Sequence, residues 1–150
     1  TEILDTLYRN MGLEPFYYLV DDFYNWQQSF IDANMRHDLI YLPTNGAIKG
    51  WIDDEAILFV NKNIKKPVFT CDDFMMPFSV LGFTKVPEEQ GIWAANVSKQ
   101  IINGIKPSDI QITRNSQSIT WFNKCLANKI GFNPDKEFLN DAKMVVMETK

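Results

Sequence analysis

The sequence predicts an α/β chain, a parallel sheet flanked by helices. Three observations predict it. Strand-like and helix-like stretches alternate between residues 3 and 71, the sequence form of strands joined by helical crossovers. The strand-like stretches are short and almost continuously apolar, as strands buried on both faces are. Polar residues stand directly after them, where each chain turn must start the next helix.

Ile3, Leu4, Leu7 and Met11 recur at helical spacing, and Gly12 stops the helix. Residues 13–20, with Phe16, Tyr17, Tyr18 and Val20, read as a strand. Asp21 and Asp22 then cap a helix that carries Phe23, Trp26, Phe30 and Ile31 on one face. Residues 38–42 form a short apolar strand closed by Pro43, and a helix follows across Ile48, Ile52, Ile57 and Val60, ending at 61–63. Residues 67–71 are the next strand and 79–84 a further one. A long helix spans 86–104, with Pro87 near its start and Gly104 as its stop. Two β-like pieces, 110–113 and 118–122, precede a helix over 123–130 stopped by Gly131, and 136–144 reads as one more helix.

Composition narrows the function. A chain of 150 residues buries about 70% of the surface it exposes when unfolded, enough for one core. Lys plus Arg is 15 against 19 for Asp plus Glu, a net charge of −4 without a basic cluster, which argues against a nucleic-acid partner. No apolar run reaches the roughly 18–20 residues of a membrane span. Residues 1–5 have neither the basic start nor the apolar stretch of a signal peptide, which is the expectation for a cytoplasmic, mature or trimmed chain. Cys71 and Cys125 show no metal-ligand spacing, and His37 is the single histidine. Zinc sites and histidine-based triads are therefore not expected, nor is any cofactor.

In open α/β sheets, ligands sit beyond the carboxyl ends of the strands. Asp21-Asp22, Thr44-Asn45 and Asp72-Asp73 fall there, each ahead of a helix whose first N–H groups are free. Each pair taken alone reads equally well as a helix cap. Phe23, Tyr24, Trp26, Trp51 and Phe74 stand close by. Trp26 and Trp51 suit helix packing, whereas Phe74, in a loop-like stretch, suits a pocket wall as well as it suits packing. His37 reads as a surface turn residue and Cys71 as a buried, inert thiol. Asn96-Val97-Ser98 matches a glycosylation sequon within a helical stretch. No Gly-rich phosphate loop, nucleophile elbow or zinc-binding helix motif occurs.

Leu42-Pro43-Thr44-Asn45-Gly46, followed by a helix and by Lys66-Pro67-Val68-Phe69-Thr70-Cys71-Asp72, resembles the ABC-transporter substrate-binding protein family that includes aromatic-amino-acid-binding members. Ser79 to Phe83, Glu89-Gln90-Gly91, Gly104 to Ile110 and Phe122 to Phe132 continue the family's order, and Val20 to Gln28 resembles its paired-glutamine helix. The match covers only the second half of a family member. Asp21-Asp22-Phe23-Tyr24 stands where the family has a serine-rich turn, making this edge more acidic and bulkier.

The resemblance implies one lobe of a type I periplasmic-binding fold plus the returning inter-lobe segment. Residues 1–77 and 105–150 would form the lobe core, and 78–104 would return to the missing lobe. It implies a solute-binding component of an ABC-type uptake system or a sensory region, outside the cytoplasm. Such a protein performs no chemistry and is read by a permease or sensor partner. The expected ligand-binding residues are Thr44, Asn45, Asp72, Asp73 and Phe74, with Asp21 and Asp22 flanking. Acids dominate this edge, so a small ligand with a positive or donor-rich end is expected, amino acids first. Ile92, Trp93, Val97, Ile101 and Ile102 would be left without the other lobe, so a homodimer is expected. Two alternatives use the same residues. A phosphoacceptor receiver domain would gather Asp21-Asp22, Asp72 and Lys85 around magnesium, and a small hydrolase would use paired carboxylates.

Overall fold

The computed structural model describes residues 2–145. The chain order is α1 (Glu2–Asn10), α2 (Phe23–Arg36), β1 (Ile40–Tyr41), α3 (Asp53–Asn63), β2 (Val68–Thr70), β3 (Leu81–Lys85), α4 (Pro87–Ile102), β4 (Ser118–Phe122), α5 (Lys124–Ile130), α6 (Lys136–Asn140) and β5 (Lys143–Met144). Tight 3-10 turns at Asp73–Phe78 and Pro107–Asp109 complete it. One sheet runs β1-β2-β3-β4-β5. β1, β2 and β3 are parallel, β4 is antiparallel to β3, and β5 is parallel to β4. The architecture is α/β, a largely parallel sheet flanked by helices.

Local chemistry sets the helix ends. Asp22 caps α2 by accepting from the Asn25 N–H at 2.7 Å, and Asn123 caps α5 by accepting from Leu126. Gly12 and Gly131 take positive φ after α1 and α5, a conformation that costs glycine nothing. The core lies between the sheet and α2, α3 and α5. Trp26, Phe30, Ala33, Ala56, Val60, Val68, Phe78, Val80, Phe122 and Leu126 are buried there. Each large side chain so placed contributes roughly 1.5–3 kcal/mol. Trp26 meets Trp51 edge to face at 4.7 Å, and Phe23, Phe30 and Phe59 extend the aromatic cluster. Both tryptophans therefore serve packing.

Four sequence expectations are corrected. Residues 13–20 belong to no helix or strand, because no neighbour offers them a ladder. Residues 110–113 likewise pair with nothing. α3 starts at Asp53, not near Ile48, because the Lys49 backbone is engaged with Asp21 and Phe23 and Gly50 turns the chain at φ 72°. The stretch 136–144 is divided: α6 ends at Asn140, and Lys143–Met144 pairs with Trp121 and Phe122 instead.

α4 stands apart. None of its sixteen residues is buried. Trp93, Val97 and Ile101 face Pro107, Ile110 and Ile112 across a groove of about 580 Å³, and Ile92 and Ile102 are exposed beside it.

Candidate functional site

β1 and β2 lie side by side and parallel, so the turns after them share one end of the sheet. Leu42 N–H still bonds Phe69 C=O at 2.9 Å. Beyond it Thr44 Oγ1 accepts from Gly46 N–H at 3.2 Å, and Ile48 N–H bonds Asn45 C=O at 3.0 Å. The Thr44 hydroxyl thus shapes its own turn, and Thr44 is exposed while Asn45 is half-buried.

After β2, the buried Thr70 hydroxyl accepts from Asp72 N–H at 3.2 Å. Asp73 Oδ1 accepts from Phe74 N–H at 2.8 Å. The turn that follows buries Met75, Met76 and Phe78 and leaves Phe74 53% exposed. Phe74 is held in a helical turn rather than a loop, yet its ring is not spent on the core.

The first pair joins this edge by a different route. Asp21 C=O accepts from Lys49 N–H, and Phe23 N–H bonds Lys49 C=O, both at 2.9 Å. Residues 21–23 are therefore tied to the segment that follows β1. The Asp22 carboxylate is committed to capping, with Asn25 N–H at 2.7 Å and Asn25 Nδ2 at 2.8 Å, whereas Asp21 is exposed.

Two residues of this edge were not selected as ligand-binding from the sequence. Lys85 ends β3 and places Nζ 3.5 Å from Asp72 Oδ1. It lines a small cavity with Phe83, Thr84, Ser116 and Gln117. Its place one residue beyond the expected strand was the only signal for it. Tyr41, in β1, stacks on Phe69 at 4.9 Å. Burial first, then the neighbouring Cys71 and Asp72, push its hydroxyl up to about 12. Cys71 is half-buried beside it rather than sealed in the core.

His37 also departs from expectation. Its Nε2 lies 3.0 Å from Tyr18 Oη, which donates to Asp32 Oδ2 at 2.7 Å, and Phe16 stacks on its ring. It is a packed member of a polar cluster at the opposite end of β1, not a free turn residue.

Among the described residues, no three His, Cys, Asp or Glu side chains come together to hold a metal. The magnesium-binding acid set of the receiver reading is thus not assembled. Among the same residues no helix is long and apolar enough to cross a membrane.

No family model and no curated protein matches the sequence. Solved structures do. An ABC domain in complex with L-Trp from Streptococcus pneumonia superposes with a TM-score of 0.67 at 19% identity, covering 97% of this chain and 49% of that one. The chain has the fold of one half of a substrate-binding protein. A ligand-free, open substrate-binding protein with adhesive properties from Clostridium difficile gives 0.65 at 15% identity, over 96% of this chain and 48% of that one. A conserved domain protein from Vibrio cholerae gives 0.65 at 18%, over 95% and 48%. The chain spans about half the length of each.

Proposed function

We propose that the chain is one lobe of a two-lobed solute-binding protein and holds a small, amino-acid-like ligand, without chemistry, at the end of its parallel strands. Thr44, Asn45, Asp72, Asp73 and Phe74 form the ligand edge, with Asp21 and Asp22 flanking. The observation that carries this reading is the junction of β1 and β2. It sets two polar turns and an exposed aromatic ring at one sheet end, in a fold shared with binding proteins. Asp21 and Asp73 offer carboxylates to an ammonium group, and Phe74 offers a flat wall to an apolar side chain.

The ligand would sit between this lobe and the other half, and closure would present the complex to an ABC permease or a sensor outside the cytoplasm. The segment proposed to return to the other half is 78–104; within it β3 lies in this sheet and α4 buries none of its residues. As a 150-residue chain, the α4 groove is closed by a second copy, giving a homodimer. Light scattering at micromolar concentration should report twice the monomer mass, and a monomer would remove the dimer from the proposal. Thermal-shift screening with amino acids, amines, sugars and phosphates tests the ligand. Stabilisation by amino acids or amines is expected, and stabilisation by phosphates or acidic sugars alone would overturn the reading.

A further inference from the structure

The carboxyl ends of β1, β2 and β3 point the same way, because these strands are parallel. β1 leads to Thr44-Asn45 and β2 to Asp72-Asp73, and β3 ends on Lys85. The register sets Thr70 beside Gly82, so Lys85, three residues on, arrives next to the turn that follows β2. Burial alternates along β3: Gly82 and Thr84 are buried, whereas Phe83 and Lys85 are exposed. The pleat therefore keeps Thr84 against Trp121, whose Nε1 donates to its hydroxyl at 2.8 Å, and turns Lys85 to the open face.

Lys85 thus brings a cation to an edge built on acids. Its Nζ lies 3.5 Å from Asp72 Oδ1, longer than the roughly 2.7–2.9 Å of a charge-assisted hydrogen bond. The Lys85 side chain is 56% exposed and that of Asp72 23%. The contact is a loose pairing of charges, and an ammonium with several donors and a carboxylate with several acceptor positions both keep capacity for an incoming molecule. Beside Lys85 lies a cavity of about 250 Å³, walled by Phe83, Thr84, Ser116 and Gln117. Lys85 is the one charged side chain in that wall among the described residues. The Ser116 hydroxyl and the N–H groups of Ser116 and Gln117 are already given to Glu89. An anionic group entering the cavity would therefore rely on Lys85.

We infer that Lys85 receives the carboxylate of the ligand while Asp72 and Asp73 hold its ammonium, so that the site selects a zwitterionic amino acid over the corresponding amine. This inference rests on the ligand edge proposed above and narrows what that edge accepts. Asp21, Asp72 and Asp73 alone would favour a bare amine, because they repel the carboxylate that an amino acid carries with its ammonium. A lysine at the same edge reverses the order: it attracts that carboxylate and repels an unaccompanied cation. The ligand enters the loose Lys85–Asp72 pair, and each of its charges meets the opposite one.

The test compares L-phenylalanine with phenethylamine, which differ only by the carboxylate, by NMR shift mapping on the 150-residue chain. The amides of Asp73, Phe74 and Lys85 should move for both. L-phenylalanine should bind about threefold more tightly than the amine, within the range open to a solvent-exposed ion pair. Lys85→Met keeps the aliphatic stem and removes the charge. It should weaken the amino acid, strengthen the amine and so erase the preference, whereas Lys85→Arg should keep it. Lys85 is more than half exposed, so neither change reaches the core. Equal binding of the two ligands by the parent chain, a preference that survives Lys85→Met, or a loss that strikes both ligands alike would overturn the role of Lys85 and leave the ligand edge in place. Shifts absent for both ligands would overturn the edge and this inference together.

Discussion

Gly82→Ala tests how closely Met76 packs over β3, the strand beside the proposed ligand edge. Gly82 sits in β3 opposite Thr70 and Trp121. A Cβ built there would lie 2.3 Å from Met76 Sδ and 3.2 Å from Trp121 Cβ. Contact between such atoms needs roughly 3.5–4 Å, so the sulfur must retreat by more than about 1 Å. Met76 is only 2% exposed and has the core behind it. Its flexible chain can absorb part of the clash, but Trp121 Cβ is fixed to the backbone. Overpacking of this kind costs about 1–3 kcal/mol, offset by the roughly 0.5–1 kcal/mol that alanine recovers over glycine. A net loss of about 1–2 kcal/mol should lower Tm by about 2–8 °C in a chain of this size. Urea and thermal unfolding measure it. Gly91→Ala is the control: it lies inside α4 with nothing within 4 Å of the added Cβ, and should raise stability by about 0.5–1 kcal/mol. If Gly82→Ala unfolds at or above the parent midpoint with an unchanged m-value, the close packing of Met76 over β3 is refuted.

Three further outcomes follow from single side chains. Asn123 is fully buried, caps Leu126 and donates to Met76 C=O at 3.2 Å. Asn123→Ala should cost about 2–4 kcal/mol in urea unfolding, by stranding both partners. Glu89 accepts from Ser116 and Gln117, and the Ser116 bonds first hold its carboxyl below the ordinary 4.5. A lowered carboxylate keeps its tie above the ordinary value and loses it as pH falls through the folded value. The Ser116 and Gln117 amide signals should therefore move as pH falls, with a midpoint below the ordinary 4.5, and the transition should be absent in Glu89→Gln. Phe74→Ala should shift the unfolding midpoint by less than about 0.5 kcal/mol while abolishing stabilisation by amino acids; a large loss of stability would assign the ring to packing instead.

Sequence legibility followed the kind of interaction involved. Helices declared themselves where cap and stop residues act within a few positions, as Asp22 and Gly131 do for α2 and α5. β2 was readable because Val68, Phe69 and Thr70 are apolar or β-branched and Pro67 bounds them. Residues 13–20 have the same composition yet form no strand, because a strand needs a partner that composition does not reveal. The polar turns at Thr44 and Asp72 were visible as turns after strands. Lys85 was set beside Asp72 only in the receiver reading and not in the ligand edge, since its closeness comes from β3 pairing beside β2, thirteen residues away in sequence.

The proposed one-sided ligand edge sets a limit on affinity that bears on every ligand assay. A small-molecule site buries about 70–90% of its ligand. The edge at Thr44, Asp72 and Phe74 lies on one side only, with Thr44, Asp73 and Phe74 all exposed. A ligand resting there keeps its far face in water, and its ammonium competes with solvent at carboxylates that are not desolvated, where an ion pair is worth about 0–1 kcal/mol. In the proposed two-lobed protein, the strength of binding would come from closure, when the other half removes that water and the same charges act in a lower dielectric. Wild-type lobe and a covalently completed two-lobed protein should consequently differ in affinity far more than in specificity. Shift mapping at millimolar ligand is the assay suited to the lobe alone: the Asn45, Asp73 and Phe74 amides should move together for amino acids, and scattered or absent shifts would place the ligand elsewhere.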